Sequence, residues 1–349
     1  MEDVFENRDS IKLVQRVKSI NVYGVDKLKD KIPLFTIAIP TYKRINTLAE
    51  ALDSALTQEG YDDYNIIVVD NNPERGDETE TFMQKYVNHP KVSYYKNSEN
   101  VGMAGNWNKC ALLSNAEKFI LLHDDDILSP FALSAFKQIV EQLDEGWSLI
   151  KSGLKVFRKK SEIHFNSPSH IAVRSLSILD FTTKCAVGAP TCILYNKFFF
   201  LKTGGYNETF YPCIDYVNSL NLARMGRAYI LPTAILGGYR VEINASLSDK
   251  MMDKYFYNNY LINYQVMRRC HLPRKMIKLL LSAFLEDRVE CTLNYYSMHD
   301  YQLKGDQFDI YRIPSILKRI IRYGYRKYVS LYDKIFSKYY IVNLQWING

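Results

Sequence analysis

The stretch Phe119-Ile120-Leu121-Leu122-His123-Asp124-Asp125-Asp126-Ile127-Leu128-Ser129-Pro130 decides how this sequence is read. Four apolar residues make a short strand, and three carboxylates follow it at once. Adjacent carboxylates repel one another and desolvate poorly, so such a cluster is costly unless something compensates it. A divalent cation does so, because Mg²⁺ or Mn²⁺ takes carboxylate oxygens and completes its shell with water and phosphate oxygens. The alternative is a solvated acidic turn capping a helix that begins near Ser129-Pro130. Placement directly behind an apolar strand favours the ligand-binding reading.

Upstream of this stretch, short apolar runs alternate with longer amphipathic segments, the pattern of βα units in a mostly parallel sheet. Strands are expected over 34–39, 65–69, 92–95 and 119–122, with helices over 46–57, 77–86 and 102–114. The fold class is therefore α/β, with a Rossmann-like first half. In such open sheets ligands bind beyond the carboxyl ends of the strands. The residues there are Pro40-Thr41-Tyr42-Lys43-Arg44, then Asp70-Asn71-Asn72, then Asn97 and Asn100-Val101-Gly102, then the acidic triplet. Asp70 is expected at the mouth of the sheet, free to accept hydrogen bonds from a base or ribose, or else to cap the next segment.

The second half is less regular. Strands are expected over 149–157, 191–195, 228–231 and 235–240, a Ser-rich connection near 167–177, a turn at Gly204-Gly205-Tyr206 and a helix over 215–225. Beyond Asp249 the chain reads as helical. Neither GxGxxG nor GxxxxGK[ST] occurs, which argues against a dehydrogenase or a P-loop kinase. No GxSxG or other nucleophile arrangement emerges.

The motifs IAIPTYKR, IIVVDNN, NSENVGMAGNWN and FILLHDDDILSP, in that order, resemble the family 2 glycosyltransferases. That resemblance covers roughly residues 33–248. It implies the GT-A nucleotide-sugar-binding fold, with a helical C-terminal extension, and inverting transfer from a nucleotide diphosphate sugar, UDP-linked in the first instance. By position, Pro40, Thr41 and Tyr42 with Arg44 resemble the nucleobase loop, and Asp70 the carboxylate that pairs with uracil. Asn100 and Gly102 resemble the segment under the nucleotide. The family writes its acidic motif Asp-x-Asp-Asp, and here His123 fills the first place. Asp125 then matches the metal ligand, Asp124 a ribose contact, and Asp126 lies beside both.

Farther on, the Gly-Gly-aromatic turn is followed by Cys213-Ile214-Asp215, with Asp215 at the position of the general base. Physically, an Asp opening a helix beside the sugar accepts the acceptor hydroxyl proton during attack; its alternative is a helix N-cap. Near Tyr239-Arg240-Val241-Glu242 the family often carries a metal- or diphosphate-binding His, and this chain has Glu242. Arg240 is the candidate for diphosphate, since a guanidinium matches phosphate oxygens in bidentate geometry. Glu242 is a further metal candidate.

The organisation expected is an N-terminal extension over 1–32, a catalytic domain over 33–248 and a basic helical region over 249–349. Residues 250–349 hold 17 Lys+Arg against 8 Asp+Glu, so the excess of +9 lies there. Between Ile313 and Tyr340 apolar residues recur every three or four, with Lys and Arg between them. Basic faces with aromatic edges suit an anionic membrane surface, and a helix packed on the catalytic domain with a solvated basic face is the competing expectation. Six cysteines without CxxC spacing argue against zinc or a disulfide framework. The polar amino terminus lacks a secretory pattern, so a cytoplasmic protein, peripheral on the inner face of the membrane, is expected. Its partners would be a nucleotide diphosphate sugar and a glycan or lipid-linked saccharide acceptor for surface polysaccharide synthesis, with no nucleic acid. A metal-dependent nucleotidyltransferase and a membrane- or nucleic-acid-binding module are the competing readings.

Overall fold

Phe35–Thr41 (β2) and Tyr64–Asp70 (β3) are buried at every residue, as strands sandwiched between two helical layers must be. Alternate side chains serve the two layers. Ile37, Ile39, Ile66 and Val68 pack with Leu48 and Leu52 on one face, while Ala38, Ile67 and Val69 pack with Ala104, Trp107 and Cys110 on the other. Each fully buried aliphatic side chain of this kind contributes about 1.5–3 kcal/mol.

The computed structural model describes residues 3–6, 8–24, 32–241, 249–296, 298, 301–304 and 307–345. The other strands are Ser19–Tyr23 (β1), Val92–Asn97 (β4), Lys118–Leu121 (β5), Ile127–Leu128 (β6), Trp147–Phe157 (β7), His170–Ser175 (β8), Ile193–Asn196 (β9), Arg227–Arg240 (β10) and Tyr339–Asn343 (β11). The helices are Ser10–Gln15 (α1), Ile45–Leu56 (α2), Glu78–Met83 (α3), Gly102–Leu113 (α4), Ala132–Val140 (α5), Lys197–Lys202 (α6), Ile214–Met225 (α7), Asp249–Arg269 (α8), Arg274–Tyr296 (α9) and Ser315–Phe336 (α10). One sheet runs β1-β4-β3-β2-β5-β9-β7-β10-β8-β11, with β6 paired to β10.

The α/β class holds, and the first half is parallel as expected: β4, β3, β2 and β5 run alongside one another. In the second half β9 lies antiparallel between β5 and β7, β7 and β10 are parallel, and β8 and β11 close the edge antiparallel. Three expectations are corrected. The two strands expected over 228–231 and 235–240 are one strand, β10, whose register along β7 shifts between Leu231 and Ile235, so the apolar pattern breaks without the strand ending. The Ser-rich connection contains β8. The C-terminal helical pattern stops at Phe336 and the chain returns as β11 to pair with β8. At the opposite edge β1 pairs with β4. No helix among the described residues is long and apolar enough to cross a membrane.

Candidate active site

The chain travels outward from β2 to β3 and β4, then returns to the other side of β2 as β5, which makes the end of the β2/β5 seam a topological switch point. Leu122 N still donates to Ala38 O at 3.0 Å across that seam. Pro40, two residues on and facing the same way, has no N–H to offer, and the strands part there. The gap is bridged by a side chain: Thr41 Oγ1 donates to Asp124 Oδ2 at 2.8 Å. Beyond it opens a cavity of about 1160 Å³, lined by Pro40, Thr41, Tyr42, Arg44, Asn100, Gly102, Asp124, Asp125, Asp215 and Arg240 among others.

The three aspartates have unlike surroundings. Burial, then the neighbouring Asp125, pushes Asp124 up to about 7, against the pull of the Thr41 hydroxyl and Arg44. Asp125 accepts from Arg44 Nη1 at 2.7 Å. Asp126 is buried and accepts from Arg240 N at 2.9 Å through Oδ1. Its Oδ2 lies beside Thr191 without a well-formed hydrogen bond, and burial, then Asp125, pushes the carboxyl up to about 8. His123 stacks on Trp107 with ring centroids 4.7 Å apart, and its Nδ1 sits 3.6 Å from Asp126 Oδ2. Burial holds this imidazole neutral, down to about 4, and its Nε2 has no partner among the described residues. Ligand atoms of His123, Asp125 and Asp126 all lie within 4.8 Å of one another.

Arg240 lies on the cavity wall, but its guanidinium is committed. Nε donates to Asp125 O at 2.8 Å, Nη1 to Arg158 O at 3.0 Å, and Nη2 to Glu50 at 2.5 Å, with the plane over the Phe157 ring. The diphosphate role expected for Arg240 is therefore replaced by another: through Nε to Asp125 O and its backbone N to Asp126 Oδ1 it ties the acidic loop to Glu50 and Arg158. Arg44, about half exposed beside Asp124 and Asp125, also lines the cavity. Glu242 lies outside the described residues.

Asp70 is also corrected. It shares strand parity with Ile66 and Val68 and turns away from the cavity, wholly buried, to accept from Tyr94 Oη at 2.7 Å and Lys96 Nζ at 2.8 Å. Lys96 in turn reaches Asp77 at 3.0 Å. Desolvation raises the Asp70 carboxyl, with these donors opposing. The opposite parity belongs to Asn71, which lines the cavity. Asn71 Nδ2 donates to Asn100 Oδ1 at 2.8 Å and Gly102 O at 3.1 Å, and its Oδ1 accepts from Val101 N at 3.0 Å and Asn97 Nδ2 at 3.1 Å. Asn97 and Asn106 extend this amide chain to Val69 O. The segment after β4 is thus an asparagine lattice that fixes the start of α4 against β3; Gly102 opens it at φ 74°, which Gly adopts freely.

Across the cavity, Asp215 sits in the first turn of α7. The helix has Cys213 at its N-cap and no side-chain cap, so Asp215 is not the cap. Burial raises its carboxyl to about 6, opposed by the N–H groups of the helix start and by Lys151. Lys151 escaped the sequence reading, although a lysine inside the apolar run of β7 was a signal. It is buried, pushed down to about 8 chiefly by desolvation, and donates to Ala189 O and Thr191 O. Tyr255 of α8 and Arg288, Tyr295 and Tyr296 of α9 complete the wall. Nothing in their local pattern marks them, because only tertiary packing brings them over the sheet edge.

The site is thus a switch-point cavity with a carboxylate cluster on one wall and a lone carboxylate at a helix start on the other. Residues 36–204, just under half of the chain, match Glycosyl transferase family 2. An uncharacterized glycosyltransferase of Rickettsia felis is 27% identical over 206 residues, covering 58% of this chain and 32% of that protein. The putative colanic acid biosynthesis glycosyl transferase WcaA of Escherichia coli K12 is 31% identical over 114 residues, covering 32% of this chain and 39% of WcaA. The chain thus spans less than half the length of either relative. In fold it is similar to residues 1–349 of S. aureus TarS, solved with UDP-GlcNAc, at TM-score 0.55 and 16% identity over 86% of this chain and 90% of that one.

Proposed function

We propose that this chain is an inverting glycosyltransferase that takes a sugar from a nucleotide diphosphate donor, UDP-linked in the first instance. The acceptor is a glycan or lipid-linked saccharide for a bacterial surface polysaccharide, met on the cytoplasmic side of the membrane. The observation that carries this reading is the pairing of Asp124 and Asp125 at the β5 end with Asp215 across one cavity.

The donor set suits a divalent cation: two carboxylates and an imidazole within reach of each other, with Asp126 Oδ2 and His123 Nε2 left without hydrogen-bond partners. Asp125 and Asp126, with His123, would hold Mn²⁺ or Mg²⁺, and the imidazole tilts the choice toward Mn²⁺. Such an ion supplies charge neutralisation for a diphosphate leaving group.

The protein's own groups do the rest. Thr41 and the amide lattice hold the nucleotide end of the cavity, and Asp124 accepts from ribose. Arg240 keeps the acidic loop in place, and Arg44 offers its guanidinium to phosphate oxygens. Asp215 accepts the proton of the acceptor hydroxyl as that oxygen attacks the anomeric carbon. The bond from that carbon to the diphosphate oxygen breaks on the opposite face, and the electron pair leaves with the nucleoside diphosphate. Thermal-shift measurement against UDP, GDP and dTDP with Mn²⁺ tests the reading: one diphosphate stabilises the protein, and Asp125→Asn removes most of that gain. Stabilisation by none of the three would sink it.

A further inference from the structure

Helix α10 has two unlike faces. One is fastened to the body of the protein: Tyr325 Oη donates to Thr182 Oγ1 at 2.9 Å, and Arg322 Nη1 to Ala283 O at 2.9 Å. On the same side Arg326 pairs with Asp287 and Asp333 with Arg174, each at 2.9 Å. With one face so engaged, the opposite face of a helix bathed only in water should be polar.

It is not. Ile316, Ile320, Tyr323, Leu331 and Ile335 recur along the outward side at helical spacing, with Lys327 at the step between Tyr323 and Leu331. Ile316 is 72% exposed, Tyr323 66% and Ile335 64%. Single exposed apolar residues are ordinary, but a stripe of large apolar residues interleaved with lysines opposite a packed face marks a contact surface. Its charges have one sign. Lys327 and Lys334 lie among these residues and Arg319 borders them, all exposed, and Asp333 is the sole acidic residue between Tyr311 and Asn343, where it is held on the packed side by Arg174.

We propose that the outward stripe of α10 lies in the headgroup region of an anionic lipid membrane. Ile316, Ile320, Leu331 and Ile335 enter the acyl boundary while Arg319, Lys327 and Lys334 meet lipid phosphates. The 22-residue helix, roughly 33 Å long, lies in the plane of the surface. Charge complementarity selects this occupant: a second copy docked across a two-fold axis would bring the same basic rows face to face. The inference stands independently of the transferase reading. Combined with it, α9, which packs against α10 and also carries Arg288 and Tyr295 into the cavity, sets the acceptor wall one helix from the lipid.

Flotation of the full chain with phosphatidylcholine vesicles, with and without phosphatidylglycerol, tests this. Binding is expected only to the phosphatidylglycerol vesicles, weakening as salt rises. Ile320→Asp with Ile335→Asp should lower the partition at least about tenfold, as should Lys327→Glu with Lys334→Glu. Phe198→Asp, at an exposed apolar residue elsewhere, should leave it unchanged. Thermal melts of each variant separate loss of binding from loss of fold. The proposal is overturned by absence of binding to the anionic vesicles, or by binding that folded stripe variants retain. A lipid-indifferent dimer or protein complex that these variants dissolve would equally overturn it.

Discussion

Thr41 Oγ1 and Asp124 Oδ2 meet at 2.8 Å across the seam where β2 and β5 part, joining the first and last strand ends of the parallel half-sheet. The bond anchors the start of the acidic loop to the strand that leads into Tyr42-Lys43-Arg44. Asp124 has a raised carboxyl, so its protonated form is favoured in the folded protein. Stability from this group is complete below about 4 and is lost as pH rises through about 7. Thr41→Val removes a donor to the ionised form and steepens that loss. The variant should be less stable than the parent by about 1–2 kcal/mol at pH 8 and by less at pH 5, as read by thermal denaturation at both.

The pH dependence of transfer follows from Asp215. A base must be ionised to accept a proton, and burial places this carboxyl at about 6. At saturating Mn²⁺, which keeps the acidic loop ionised, kcat/KM should rise through about pH 6 and level above it. A rate still climbing at pH 8, or one already flat at pH 5, would assign the base elsewhere.

Cation binding needs the carboxylates deprotonated and the imidazole neutral. Asp126 is raised to about 8 and His123 lowered to about 4, so across pH 5–8 the imidazole is ready while the carboxyl is not. The rise in Tm on adding Mn²⁺ should therefore grow from pH 5 to pH 8. It should exceed the rise with Mg²⁺, and His123→Asn should narrow the difference between the two ions. Equal shifts for both ions in parent and variant would remove His123 from the site.

Asp70 carries a different kind of prediction. Its carboxylate neutralises Lys96, which is 1% exposed. Asp70→Asn leaves that ammonium to Asp77 and Glu80 and should cost about 3 kcal/mol of stability. Nucleotide affinity of the protein that remains folded should change by less than about threefold, corresponding to under 1 kcal/mol. Isothermal titration with a nucleoside diphosphate, beside a denaturant melt, separates the two effects. A selective loss of affinity with an unchanged melt would return Asp70 to the base pocket.

The parallel half of the sheet was legible because buried parallel strands are written as local apolar runs, each with its ligand-facing residues directly behind it. Parity was not legible. Whether Asp70 or Asn71 faces the cavity depends on which face of β3 packs against α4, and a one-residue step reverses the answer. The strands β1, β8 and β11 are short, and each is defined by a partner far away in sequence, so no local pattern announces them. Arg240 lies on the cavity wall, yet its partners Glu50 and Arg158 come from distant elements and turn a ligand candidate into a clamp. On α10 the periodicity was plain, but only packing shows that the apolar stripe faces outward.

Product analysis tests the central claim most directly: the chain incubated with a panel of nucleotide diphosphate sugars, Mn²⁺ and a lipid-linked saccharide fraction, alongside Asp215→Asn. The parent should release a nucleoside diphosphate from one donor as the sugar appears on the acceptor with inverted anomeric configuration. Asp215→Asn should lower that rate by about 10²–10⁴ while still binding the diphosphate. Release of pyrophosphate, or transfer undiminished in Asp215→Asn, would contradict the account.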